Sequence, residues 1–264
     1  VGVQRFVPRG RLTSGGAPLR FPHDAGNRGW LTVTACDWDD DGDPDLFVHA
    51  WASPEPEKVY RYENVTPPGG PPTFAAHGAL RTRTGNGFGE PVDFADWDGD
   101  GRLDVLSMVQ GALHWFRNPG GAATIRDMAL DNGRLVLANG VPLRLDRPRF
   151  AAADFDADGD LDLLGASDAG RLYLFENAGT RGQARLRMGR AIVHFEWMDC
   201  RTGVKVVDWD RDGRLDLLVG RYWERTRYGE QARVAGRLYA NVGTRERPRF
   251  AARDAESGAP PVEG

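Results

Sequence analysis

The sequence predicts an all-β fold, a β-propeller or a segment of one, built of four antiparallel blades. Three observations carry that prediction. One pattern, D-x-D-x-D-G-x-x-D, occurs four times, with first aspartates at Asp37, Asp96, Asp154 and Asp208, spaced 59, 58 and 54 residues apart. Apolar and aromatic runs of strand length keep step with it, and no long stretch shows the apolar spacing of an amphipathic helix. A repeating unit of about 57 residues with three or four short strands has the size of a propeller blade.

Each element of the unit follows from its residues. A short apolar run precedes the Asp pattern, as in Leu31 to Ala35 and Val204 to Val207, and another follows it, as in Leu46 to Val48 and Leu217 to Val219. These are two strands joined by the acidic loop. A third strand reads as an aromatic-rich run closing on asparagine: Val59 to Asn64, Leu113 to Asn118, Leu172 to Asn177 and Leu238 to Asn241. A fourth is expected around Pro72-Thr-Phe74, Pro148-Arg-Phe150 and Pro248-Arg-Phe250, with the second of these also able to begin the innermost strand of the next unit. The chain is expected to be one repeat domain over 1–264, with approximate repeats at 30–75, 90–130, 148–185 and 203–252. Gln4 to Val7 looks like the outer strand of a preceding unit, and the start at Val1 suggests a mature or excised piece of a longer array.

Alternating aspartates in a tight loop aim their carboxylates into one small space, the donor set of a hard cation. The expected ligands are positions one, three, five and nine: Asp37, Asp39, Asp41 and Asp45; Asp96, Asp98, Asp100 and Asp104; Asp154, Asp156, Asp158 and Asp162; Asp208, Asp210, Asp212 and Asp216. Glycine at position six permits the sharp turn, and position seven (Asp43, Arg102, Asp160, Arg214) is expected to lend only its carbonyl. The helix-flanked alternative, an EF-hand, needs Glu at position twelve, where Val48, Ser107, Gly165 and Val219 stand instead. Zinc favours nitrogen or sulfur, and magnesium keeps waters that a dense carboxylate loop displaces. Calcium is therefore the expected ion, about four of them, one per repeat.

Over about residues 30 to 252 the chain resembles the FG-GAP and VCBS repeat families, whose blades carry this loop between their first two strands. The resemblance implies calcium at all sixteen aspartates. It also implies a scaffold shared with lectins, integrin head domains and some polysaccharide lyases, so activity has to come from a site rather than from the fold.

Composition narrows that choice. The net charge of −4 conceals the gathering of acidic residues in the loops, where the expected ligands alone are sixteen of 38, and four divalent cations would bring it to +4, too small a value for a nucleic-acid surface. No apolar run is long enough to span a membrane. Cys36 and Cys200 are too few for a disulfide framework. The calcium loops suggest a secreted or cell-surface protein.

Ligand candidates lie between the second and third strands, on the face expected to be opposite the acidic loops. They are His49 and Trp51 in one long connection, and Arg221, Tyr222, Trp223, Glu224, Arg225 and Tyr228 in another. Trp and Tyr offer flat apolar faces to sugar rings or protein partners, and Arg and Glu offer directional hydrogen bonds. The expectation is a carbohydrate- or protein-binding module. A polysaccharide-degrading enzyme using His49 or His194 is the alternative, although neither histidine stands in a catalytic motif. Asn64-Val-Thr66 has the form of a glycosylation sequon, but Asn64 recurs as Asn118, Asn177 and Asn241, which favours a role in the repeat.

Overall fold

The computed structural model describes residues 11–20, 30–51, 58–84, 88–89, 92–121, 129–145, 149–167, 171–194, 203–222 and 234–253. Among them every regular element is a strand, and no helix is long and apolar enough to cross a membrane.

A small hairpin, β1 (Thr13–Ser14) with β2 (Ala17–Pro18), leads into the first sheet of β3 (Trp30–Cys36), β4 (Asp45–Trp51), β5 (Lys58–Asn64) and β6 (Phe74–Ala79). After β7 (Arg81–Thr82) come β8 (Val92–Ala95), β9 (Asp104–Val109) and β10 (Ala112–Phe116). β11 (Ala129–Leu130) pairs in parallel with β7, and β12 (Arg134–Leu135) completes the second sheet beside β10. A hairpin of β13 (Leu137–Ala138) and β14 (Val141–Pro142) precedes the third sheet: β15 (Arg149–Ala153), β16 (Asp162–Ser167), β17 (Arg171–Phe175) and β18 (Arg190–His194). The fourth consists of β19 (Gly203–Val207), β20 (Asp216–Tyr222), β21 (Val234–Asn241) and β22 (Phe250–Arg253). In all four sheets spatial order follows chain order and pairing is antiparallel, the meander of a propeller blade. In each, the Asp pattern joins the first strand to the second, as the sequence predicts.

The Pro-x-Phe segments part company. Phe74 and Phe250 open the outer strands β6 and β22, whereas Phe150 lies in β15, the first strand of its blade. The reason is local: β15 runs directly into the loop at Asp154, and the Phe150 ring lies across its register partner Gly165, where a Cβ would meet it at 3.3 Å. The outer place in that blade falls to β18.

The described residues form two compact units, one holding the first two sheets within 5–96 and 100–135, the other the last two within 136–264, with 97–99 grouped with the latter. In the first unit Trp38, Phe47, Val59, Val105 and Phe116 build a core across the two sheets, with Phe47 and Phe94 rings 4.4 Å apart. In the second, Phe155, Leu164, Leu172, Leu174, Leu217 and Val219 do the same. Inner strands are buried on both faces, as β9 is from Asp104 to Met108, while outer strands such as β18 stay largely exposed. Burying a large apolar side chain completely contributes about 1.5–3 kcal/mol.

Phe155, at position two of the third loop, is 2% exposed and roots that loop in the core. Phe155→Ala should cost about 3–5 kcal/mol in urea unfolding. A loss below about 1 kcal/mol would mean that the aromatic does not anchor the loop.

Candidate metal centre

Each acidic loop owes its shape to glycine at position six and to one further turn. Gly42, Gly101, Gly159 and Gly213 have φ of 91°, 88°, 96° and 84°, the left-handed region that only glycine enters freely. Position four is left-handed too, although only Gly99 is a glycine there: Asp40, Ala157 and Arg211 have φ of 61°, 64° and 61°. Non-glycine residues pay about 1–2 kcal/mol for that conformation.

The bends point backbone N–H groups at the carboxylates. Gly42, Gly101, Gly159 and Gly213 donate to the position-one Oδ2 at 3.0, 3.1, 3.2 and 3.0 Å. Position seven donates its N–H to the position-five Oδ1 in all four, at 2.9, 3.1, 3.0 and 2.9 Å. The result is convergence. Asp37, Asp39 and Asp41 each bring an oxygen within 4.8 Å of the others, as do Asp96, Asp98 and Asp100, Asp154, Asp156 and Asp158, and Asp208, Asp210 and Asp216.

The ninth aspartate, expected as a ligand, also does something else. Asp45, Asp104, Asp162 and Asp216 open the second strands and are 1%, 0%, 1% and 2% exposed. In each, Oδ1 accepts the N–H of the asparagine after the third strand's core: Asn64, Asn118, Asn177 and Asn241, at 2.7, 2.7, 2.7 and 2.8 Å. In three blades Oδ2 accepts the N–H of position two, from Trp38 at 3.3 Å, Phe155 at 3.2 Å and Trp209 at 3.1 Å. Asp104 Oδ2 accepts Trp115 Nε1 at 2.9 Å. The asparagine side chain completes a clamp: Asn64, Asn118 and Asn177 donate Nδ2 to the carbonyl at position eight, at 3.2, 3.1 and 3.3 Å. Each carboxylate oxygen keeps a second lone pair, so the clamp leaves ligand capacity.

Burial dominates the electrostatics. It pushes the Asp162 carboxyl up to about 7 and that of Asp45 to about 6, with the neighbouring loop carboxylates adding to the rise and the clamp N–H groups opposing it. Asp39, Asp156, Asp160 and Asp216 are raised by burial as well. Asp154 Oδ1 is buried and accepts no hydrogen bond. An oxygen in that state among other carboxylates is unfavourable by itself and fits a hard divalent cation, for which every donor in these loops is suited.

The other candidate residues are placed less completely. His49 is 4% exposed inside β4, between Thr32 and Val59 in the sheet, so it belongs to the blade interior. His194 is the exposed last residue of β18. Trp51 ends β4, and Arg221 and Tyr222 end β20, with their side chains outside the described set. Trp223, Glu224, Arg225 and Tyr228 lie outside the described residues. The topology does put the connections after β4 and β20 at the ends of their sheets remote from the acidic loops. Sequence reasoning missed the left-handed position four, the Asp–Asn clamp and the pairing of Arg102 and Arg214 with their loops. The recurring asparagine was the visible signal for the clamp.

Blades of this topology, each with an acidic hairpin between its first two strands, define a propeller-type repeat protein. Residues 154–219 match the family model described as FG-GAP-like repeat, from the third acidic loop into the strand after the fourth. No curated protein matches the sequence. Among solved structures, the chain is similar to one described as the basis of specific recognition of non-reducing terminal N-acetylglucosamine by an Agrocybe aegerita lectin. The identity is 14% and the TM-score 0.44, over 85% of this chain and 65% of that one.

Two predictions follow from the loop geometry. Ala157→Gly should raise stability by about 1 kcal/mol by relieving the left-handed strain, measured by chemical unfolding; a loss would place the strain elsewhere. The second concerns pH. Folded-state values of about 7 and 6, against an ordinary 3.8, mean that the native state holds protons the unfolded chain has released. Stability of the cation-free protein therefore falls as pH rises from about 4 to about 7. With EDTA the melting temperature should be higher at about pH 5 than at about pH 7.5, and a saturating divalent cation, which needs ionised carboxylates, should reverse that order.

Proposed function

We propose that this chain is a calcium-stabilised, extracellular propeller scaffold that serves as a binding module for carbohydrate or a protein partner. The observation that carries the reading is the convergence of three carboxylates in each of four loops, with a buried, unshared oxygen at Asp154. Packing so many like charges is unfavourable without a cation, so an ion that binds only the native state adds its binding free energy to folding, about 2.7 kcal/mol per site at a hundredfold excess over its dissociation constant. The millimolar calcium outside cells would keep such loops filled.

The ligand part of the proposal rests on the chain's own chemistry. The acidic loops are nearly the same in all blades, whereas the connections between second and third strands differ. In the second blade that connection is only the left-handed pair Gln110 and Gly111. In the first and fourth it is longer and follows strands that end on Trp51 and on Arg221 and Tyr222, and the fourth adds Trp223, Glu224, Arg225 and Tyr228. Aromatic and guanidinium groups gathered on the variable connections suit stacking against sugar rings or anchoring a protein surface.

Calcium should raise the melting temperature by several degrees over EDTA, and a melting curve indifferent to calcium from micromolar to millimolar would overturn the metal reading. A glycan array probed in calcium, with product analysis of every hit, tests the ligand reading. Binding without new reducing or unsaturated ends, lost in Trp51→Ala and Trp223→Ala at unchanged melting temperature, is the expected result. Turnover lost in His49→Ala and His194→Ala would make the protein an enzyme instead.

A further inference from the structure

The four loops agree at positions one, three, five, six and nine and disagree at position seven, where Asp43, Arg102, Asp160 and Arg214 stand. Both arginines fold back on their own loops in the same way. The Arg102 guanidinium pairs through Nη2 with Asp100 Oδ2, while its Nε donates to the carbonyl of Asn118 at 3.1 Å. Arg214 pairs through Nη2 with Asp212 Oδ2, and its Nε donates to the carbonyl of Asn241 at 3.0 Å. Each therefore ties the fifth aspartate of the loop to the asparagine of the clamp. The stem of Arg102 lies on Gly120, where a Cβ would come within 2.9 Å of Nε, so the side chain occupies a fitted seat.

Further cations reinforce the pattern. Arg117 Nη2 reaches Asp100 Oδ2 at 2.6 Å, and Arg253 Nη1 stands 3.6 Å from Asp210 Oδ2. The first and third loops have the opposite endowment. Asp40 and Asp43 join the four ligand aspartates of the first loop, with no base inside the loop. Asp160 joins those of the third, and its Oδ1 is buried without a hydrogen-bond partner.

We infer that Arg102 and Arg214 are built-in cations that divide the loops into two classes. The first and third loops take calcium tightly and depend on it, and the second and fourth bind it more weakly and hold their shape without it. The inference rests on the calcium reading proposed above. A guanidinium on the position-five carboxylate competes with an incoming ion for that oxygen and repels it by charge, and the same contact relieves the repulsion among aspartates when no ion is bound.

Calcium titration of the full chain by calorimetry tests this. The wild type should show two tight and two weaker sites, separated at least about tenfold in affinity. Arg102→Met/Arg214→Met keeps the apolar stems and removes the charges; its weaker sites should tighten about tenfold and merge with the others. Its melting temperature in EDTA should fall below that of the wild type. If the double variant does not fold, Arg102→Met alone carries the test, with one site tightening. Four equivalent sites in the wild type, or a variant whose affinity is unchanged or reduced, would overturn the inference. No calcium heat at all in the wild type would overturn the calcium reading itself, and an unchanged melting temperature of the variant in EDTA would separately overturn the latch.

Discussion

A single buried carboxylate sets the frame on which each blade depends. The ninth aspartate of the loop opens the second strand, accepts the N–H of the asparagine at the end of the third, and in three blades accepts that of the second loop residue as well. It thereby pins three chain segments at one point, and a one-residue slip of strand register, which would turn every side chain to the wrong face, would break all of these bonds at once. Burying an ionised group is costly unless donors surround it, and the upward push on Asp162 and Asp45 shows that the two backbone donors do not cancel the cost completely. The clamp gives positional certainty in exchange for some stability, and the aromatic at position two, buried at Trp38 and Phe155, restores part of it through the core.

The aspartates of one loop can share a small space by three means, and two of them are visible here. Backbone N–H groups from positions six and seven serve every loop. Arginine serves the second and fourth. A cation would be the remaining means, and Asp154 and Asp160 each offer it a buried oxygen without a hydrogen-bond partner. The left-handed residues at position four belong to the same economy of space: without that turn the third and fifth carboxylates would not face the first, and Asp40, Ala157 and Arg211 carry the strain that the turn requires.

The all-β architecture, the four-stranded meander and the position of each acidic loop were legible because they repeat. A pattern at intervals of 59, 58 and 54 residues leaves little freedom in register, and aromatic-rich runs closing on asparagine marked the third strands. What could not be read depends on two residues meeting across tens of positions. Nothing in a linear chain says that Asp162 bonds to Asn177, or that Arg214 crosses to Asn241. The outer strands were harder for another reason: they have one solvent-facing side and little periodicity, so Pro148-Arg-Phe150 read equally as an outer strand or the start of an inner one, and only the pairing places Phe150 in the inner strand β15. His49 illustrates the same limit, since a polar residue in an apolar strand reads equally as site or core, and packing alone places it inside.

The division between what repeats and what varies follows from these constraints. The loop end of each blade is held by bonds that reach from the loop to both neighbouring strands, so substitutions there are coupled and the sequence stays uniform. The other end of the sheet carries no such web: Gln110 and Gly111 make a two-residue turn after β9, while β4 and β20 each run to seven residues before far longer connections begin. Length and composition can change there without disturbing the clamp, because loop insertions cost little once the strands are fixed. A scaffold that concentrates its strain, its charge and its register at one end leaves the other end free to vary in length and composition.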